Sequence, residues 1–336
     1  MTKSDPPLLQ VRNLAVEFSV GNPLISLLSG RRSRLRAVDG ISFHIARGEI
    51  LGIVGESGSG KTTVGKTVLR LHQPTAGQIL VNGEDVASRS QRALKPLRRE
   101  LQMIFQDPLS SLNPRHSIRK SLATPLRVHG LCPRREIETH IDATLARVGL
   151  TPEFKERFPH ELSGGQLQRV AIGRALMLSP SLIVADEAVS KLDVSVRAQI
   201  LNLFKDMQEE LGLAFMFITH DLHVARFLCQ RILVMYFGQI MEEGSPETLF
   251  AKPRHPYTIA LLGTLDPHSG PAPATGNAPE TGTDATGCRY YSRCAYREER
   301  CRIQKPPREE IKPGHSVACF AWKRIDAERE SAGLNL

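Results

Sequence analysis

Eight residues, Gly55-Glu56-Ser57-Gly58-Ser59-Gly60-Lys61-Thr62, have the types and spacing to hold a polyphosphate. The glycines let successive backbone N–H groups turn towards one point, which makes an anion nest. An apolar run, Ile50 to Val54, leads in as a buried strand, and a helical pattern with Val64, Val68, Leu69 and Leu71 leads out. The nest therefore sits on a helix N-terminus, whose unpaired amides and dipole also favour negative charge. Lys61 can reach the β- and γ-phosphates there, and the Thr62 hydroxyl can bind Mg²⁺.

Three later apolar runs end in polar residues: Gln106, then Asp186-Glu187, then His220. Ligands of open parallel sheets bind outside the carboxyl ends of the strands. Together with Lys61 and Thr62 these residues predict a site that hydrolyses a nucleoside triphosphate. Asp186 would hold Mg²⁺ or its waters. Glu187 would orient and deprotonate the attacking water. Gln106 and His220 would position that water or touch the terminal phosphate. Taken singly, His220 also reads as a hydrogen-bonded structural histidine and Gln106 as a strand-end cap.

The positioning elements alternate strand and helix. Strands are expected at Leu8–Phe18, Ala37–Ile45, Gln78–Val81, Leu101–Phe105, Ser181–Glu187 and Ala214–Ile218, with a strand–turn–strand from Arg231 to Glu243 about Gly238. Gly21–Arg36 breaks the first pattern and reads as an inserted basic loop. A helical stretch from Ser117 to Val148, broken at Pro125 and Pro133, predicts a helical subdomain over about 107–178. Further helices are expected at Leu167–Leu178 and Val194–Leu211. Residues 265–287 turn to Pro, Gly, Ala and Thr and read as a linker between a domain over 1–264 and a Cys-rich extension over 288–336. The chain has no internal repeat and a single phosphate loop.

The 336 residues are enough for one large α/β domain plus a small one. No apolar run approaches the roughly 18–20 residues of a membrane span. Met1–Pro7 lacks the apolar core of a signal peptide, so a cytoplasmic chain with reduced or metal-bound cysteines is expected. The net charge of +9 suits nucleic acid, an anionic membrane surface or simple solubility. Its basic clusters, Arg31–Arg36 and Arg89–Arg99, are read best as attraction to acidic lipid headgroups.

These motifs resemble the ATP-binding subunits of ABC transporters. The resemblance rests on the phosphate loop, the Q-loop glutamine Gln106, the signature Leu162-Ser163-Gly164-Gly165-Gln166, the acids Asp186 and Glu187, the D-loop Ser190-Lys191-Leu192-Asp193 and the switch histidine His220. It covers roughly residues 8–264. It implies a P-loop NTPase core of the ABC type: a mixed sheet flanked by helices, an N-terminal antiparallel β part and an inserted helical subdomain, with a small Cys-rich extension. By the same resemblance, Phe18 stacks on adenine, and Gly55, Ser57, Gly58, Gly60, Lys61, Thr62 and Thr63 hold the nucleotide. Thr62, Gln106 and Asp186 attend the Mg²⁺. Ser163, Gly164, Gly165 and Gln166, with Asp193, close over ATP bound to a partner ATPase subunit, so that ATP glues two subunits and hydrolysis parts them.

Finer runs resemble the oligopeptide/dipeptide and nickel importers: Gln106–Arg115, Leu192–Gln199 and His255-Pro256-Tyr257-Thr258. This implies a second, usually paralogous ATPase subunit or an identical one, two membrane permease subunits, an external solute-binding protein and a peripheral place on the cytoplasmic face of the membrane. No nucleic acid is expected. Three positions depart from the family: Ala188 replaces a usual Pro, Lys191 a usual Ala, and Leu167 a common Arg.

Cys288, Cys294, Cys301 and Cys319 lack any C-x2-C pair, which weakens a zinc-ribbon reading. Four thiols in about thirty residues still favour a metal over disulfides. The resemblance implies a [4Fe–4S] cluster, as in some members, stapling a tail too small to fold alone, with zinc, a disulfide or reduced structural thiols as alternatives. Cys132 and Cys229 read as buried fillers. Two other functions fit parts of the sequence: a soluble ABC ATPase acting on nucleic acid or ribosomes, and a subunit sensing redox state through its tail.

Overall fold

The structure is a computed structural model and describes residues 6–20, 33–263 and 286–331. The expected linker therefore lies almost wholly outside the described residues, as does most of the inserted basic stretch. Twelve strands are described: β1 (Leu9–Val20), β2 (Ser33–Ile45), β3 (Ile50–Val54), β4 (Ala76–Val81), β5 (Glu84–Asp85), β6 (Leu101–Ile104), β7 (Leu182–Asp186), β8 (Ala214–Thr219), β9 (Arg231–Tyr236), β10 (Gln239–Gly244), β11 (Glu309–Lys312) and β12 (His315–Val317). The chain forms two compact units. One comprises residues 1–8, 45–50 and 88–219, and the other residues 9–44, 51–87 and 220–336.

In the first unit β6, β7 and β8 run parallel, with Leu101 opposite Leu182 and Leu182 opposite Ala214. Every residue of β7 and β8 is buried, which is why both read as unbroken apolar runs instead of alternating ones. The inserted helices, Ile118–His129 and Ile137–Arg147, lie between β6 and β7 in the chain. Ser117 caps the first by accepting the Lys120 N–H, and Gly130 ends it at φ 63°, a left-handed conformation that glycine adopts readily. Pro125 was expected to break this stretch but lies inside the helix. The break comes at Gly130, whose C-cap geometry ends the helix.

The second unit holds a four-stranded sheet in the order β2-β1-β4-β5 and, separately, the neighbouring strands β11-β12-β10-β9-β3. β3 and β9 are parallel, and β9 and β10 form an antiparallel pair about Gly238. β2 starts at Ser33, earlier than expected. Arg36 is anchored there by Glu17 at 2.8 Å and Asp39 at 3.1 Å.

The extension adds two strands that the sequence does not advertise. β12 pairs with β10, Val317 opposite Glu242, and β11 pairs with β12. Ile325 and Ala321, on or just before the last helix (Trp322–Ser331), pack on Ile259. Arg254 pairs with Asp326 at 2.8 Å and Arg308 with Glu243 at 3.3 Å. Burial and ion pairs therefore fasten the tail, independently of any bridge between its cysteines.

Candidate nucleotide site

Tight packing dictates the glycines of the phosphate loop. A Cβ on Gly55 would lie 2.0 Å from the Met235 carbonyl, and one on Gly60 2.4 Å from that of Ala37. Gly58 and Gly60 also have φ of 79° and 101°, which side chains strain to adopt. The turn opens directly into the helix Lys61–Val68, so its N–H groups converge at a helix N-terminus. Lys61 is 5% exposed, and its ammonium donates to the carbonyls of Gly55 at 2.7 Å and Glu56 at 2.8 Å. That places a cation at the loop's mouth. Thr62 and Thr63 follow in the first turn, half-buried. Ser57 is exposed on the loop, and Phe18, 37% exposed, meets His72 edge-on at 5.5 Å.

In the other unit, β7 delivers Asp186, 5% exposed, and Glu187 follows with φ 48°. A left-handed conformation at a non-glycine residue is uncommon and costs energy, so it marks a constrained position. The Glu187 N–H donates to the Ile218 carbonyl at 2.9 Å, which ties the turn to β8. Gln106 Nε2 donates to Glu187 Oε2 at 2.8 Å. The structure thus brings together two residues that the sequence placed at separate strand ends. His220 stands exposed, one residue beyond β8.

The signature forms the start of the helix Gly164–Leu176. Ser163 accepts the Gln166 N–H, and the Gln166 side chain accepts the Ser163 N–H, a reciprocal capping box. Ser163 and Gly164 are exposed, so the remaining N-terminal donors face outward. Gly165 is required by packing, because a Cβ there would sit 2.5 Å from Val196. Asp193 is the N-cap of the helix Val194–Leu211 and is exposed, with no capping hydrogen bond from its side chain.

None of the six cysteines is in a disulfide. Burial above all pushes Cys288 and Cys319 up to about 12 and Cys294 to about 11, and neighbouring thiols of the same set raise them further. Among the described residues no group of three or more His, Cys, Asp or Glu is placed to hold a metal ion. Neither the iron–sulfur nor the zinc expectation is supported by this arrangement. Cys229 is buried beside Gly52 as expected, but Cys132 is only half-buried.

Two residues without an expected role reach the phosphate loop. The Tyr257 hydroxyl accepts the Glu56 N–H, and Arg293 pairs with the Glu56 carboxylate. Tyr257 belongs to the quoted His-Pro-Tyr-Thr run, but nothing in that run points 201 residues back along the chain. Arg293 sits between two cysteines and carries no local signal at all.

A glycine-cradled anion nest on a helix, a capped signature helix and an acid pair at a strand end define an ATP-binding cassette ATPase. Comparison with known proteins agrees. The ABC transporter family profile matches residues 38–190, and that of the oligopeptide/dipeptide transporter C-terminal region matches 241–301. A Brucella ovis chain named as a peptide import ATP-binding protein is 45% identical, over 94% of this chain and 98% of its own length. The oligopeptide transport ATP-binding protein AppF of Bacillus subtilis is 43% identical, over 94% of this chain and 97% of its own. A solved dimer of the cassette MJ0796, in a post-hydrolysis state with ADP and Pi, has a TM-score of 0.63 at 29% identity and covers 71% of this chain and 98% of that one. The chain belongs to the ATP-binding subunits of ABC transporters, in the oligopeptide/dipeptide branch, and is an ATPase.

Proposed function

We propose that this ATPase powers the import of di- or oligopeptides, working on the cytoplasmic face of a membrane with a second ATPase subunit and two permease subunits. The observation that carries the reading is the coexistence of a complete phosphate loop with a 241–301 region of the oligopeptide/dipeptide transporter type. Among the described residues no helix is long and apolar enough to cross a membrane, so any passage for peptide is assigned to other chains.

Within this reading Gly55, Ser57, Gly58, Gly60, Thr62 and Thr63 offer the loop's donors to the phosphates, Lys61 neutralises their charge, and Phe18 stacks on the base. A Mg²⁺ ion, when bound, would supply positive charge that offsets the charge of the phosphates. Thr62 in one unit, and Asp186 and Gln106 in the other, each offer an oxygen of the kind such an ion would take. Glu187 takes the proton of the attacking water, Gln106 holds that carboxylate in place, and His220 contacts the terminal phosphate. The exposed Ser163 and Gly164, with Gly165, Gln166 and Asp193, engage the nucleotide of the partner subunit.

For the permease contact, the first unit offers a groove of about 450 Å³ lined by Gln102, Leu112, Asn113, His116, Thr124 and Val128. Val128 is 60% exposed and Leu109 48%, apolar surface suited to a short helix of a membrane partner. The test is uptake of a labelled peptide into vesicles carrying the reconstituted transporter. ATP-dependent uptake that disappears with Lys61→Ala supports the reading. Uptake unaffected by that change removes it.

A further inference from the structure

The phosphate loop is held from distant parts of the chain, and its entry residue most of all. Glu56 follows Gly55, the first glycine of the loop. Its N–H donates to the Tyr257 hydroxyl at 2.8 Å. One terminal nitrogen of Arg293 reaches both Glu56 carboxylate oxygens, at 3.1 and 2.9 Å, and the Tyr236 hydroxyl at 3.4 Å. Opposite Glu56 in the loop, the Ser59 carbonyl accepts the Gly238 N–H at 2.8 Å. The loop is thereby clamped on two sides.

The clamp has a rigid backing. Tyr236, Tyr257 and Tyr290 are at most 2% exposed. Their rings contact one another with centroids 4.5, 5.3 and 5.5 Å apart. They come from three places: β9, the helix Pro256–Gly263 and the Cys-rich extension. Buried aromatics in mutual contact lose rotamer freedom, so the Tyr257 hydroxyl is held where the Glu56 N–H needs it. Arg293 is positioned from the same side, with its guanidinium about 6 Å from the Tyr236 and Tyr290 rings and its own N–H donating to the Tyr290 carbonyl. A nest binds an anion only while its N–H groups converge, so a loop free to shift at its entry binds phosphate less tightly.

We propose that Tyr257 and Arg293 are positioning residues of the phosphate loop, through which the C-terminal extension sets the affinity for nucleotide. Neither touches the phosphates. Both act through Glu56. The assignment rests on the nucleotide-binding reading of the loop, and it gives the extension a part in the ATPase cycle besides filling out the fold.

The test uses the full chain with a fluorescent ATP analogue, alongside steady-state hydrolysis and thermal unfolding without nucleotide. Arg293→Ala and Tyr257→Phe are expected to weaken analogue binding about 3–10-fold and to raise KM by a similar factor with little change in kcat, since the catalytic residues are untouched. Arg293→Lys should recover part of the affinity by restoring the charge. The exchanged pair Glu56→Arg with Arg293→Glu should bind better than either single change. Tyr257→Phe keeps the ring packing and removes only the acceptor, so it keeps the question open to measurement if Arg293→Ala folds poorly. Unchanged affinity and KM in Tyr257→Phe and Arg293→Ala alike would overturn the assignment. So would losses that follow the fall in unfolding temperature, with no recovery in the exchanged pair. Failure of the unaltered chain to bind the analogue would instead strike the nucleotide-binding reading itself.

Discussion

At the scale of single residues, the chemistry is concentrated where the backbone is least comfortable. Gly55, Gly58 and Gly60 have positive φ, and Glu187 shares that geometry at φ 48° without being glycine. Strain of that kind persists where the surroundings hold it, here the Ile218 carbonyl and the Gln106 amide. Glu187→Gln keeps the shape and removes the base. It should bind ATP about as well as the unaltered chain and hydrolyse it at least about 100-fold more slowly, as measured by phosphate release beside analogue binding. Undiminished release would take Glu187 out of its role. Most of these residues were legible in the sequence because each motif is local: glycines at fixed spacing, acids ending an apolar run, a serine three residues before a glutamine. Tyr257 and Arg293 were not, because their partner Glu56 is 201 and 237 residues away. For the tail cysteines, spacing along the chain suggested a metal, and among the described residues no group of three or more His, Cys, Asp or Glu is placed to hold one.

At the scale of elements, strand positions followed from apolar runs, and misreadings came at their edges. β2 begins four residues before Ala37 because Arg36 finds Glu17 and Asp39. β11 and β12 are short and polar, and they pair only because β10 offers an edge. The joint between tail and cassette centres on Glu242, 0% exposed, which accepts from the Arg254 and His255 N–H groups and meets His315 Nε2 at 2.8 Å. His255 beside it is 1% exposed, and burial lowers its pKa to about 4, with the Glu242 charge opposing the shift. Its Nδ1 accepts the Tyr257 N–H at 3.0 Å, which requires the unprotonated ring. The unfolded chain takes up this proton near pH 6.5, while the folded one resists until about 4. Stability should therefore fall as pH drops from 6.5 towards 4, by up to roughly 3 kcal/mol from this group. Urea unfolding of the unaltered chain and of His255→Asn at pH 7.0, 5.5 and 4.5 measures it. The variant should start less stable and show a shallower acid decline, and parallel declines would reject the assignment.

At the scale of the whole molecule, each compact unit carries half of a binding idea. The second presents a phosphate loop and the first an outward-facing capped helix at Ser163. The family and the ATPase activity were legible because they are written in contiguous motifs. How the extension is held was not, because it depends on pairs such as Arg308–Glu243 and Lys305–Asp39 between distant parts of the chain. The central claim is that ATP joins two such chains face to face and that hydrolysis separates them. Sedimentation of Glu187→Gln, alone and co-expressed with a paralogous ATPase chain, tests this most directly. With Mg²⁺ and ATP, a species of twice the monomer mass should form in at least one preparation, vanish when ADP replaces ATP, and fail to form once Ser163→Arg is added. A mass that stays monomeric in both preparations at saturating ATP would contradict the account.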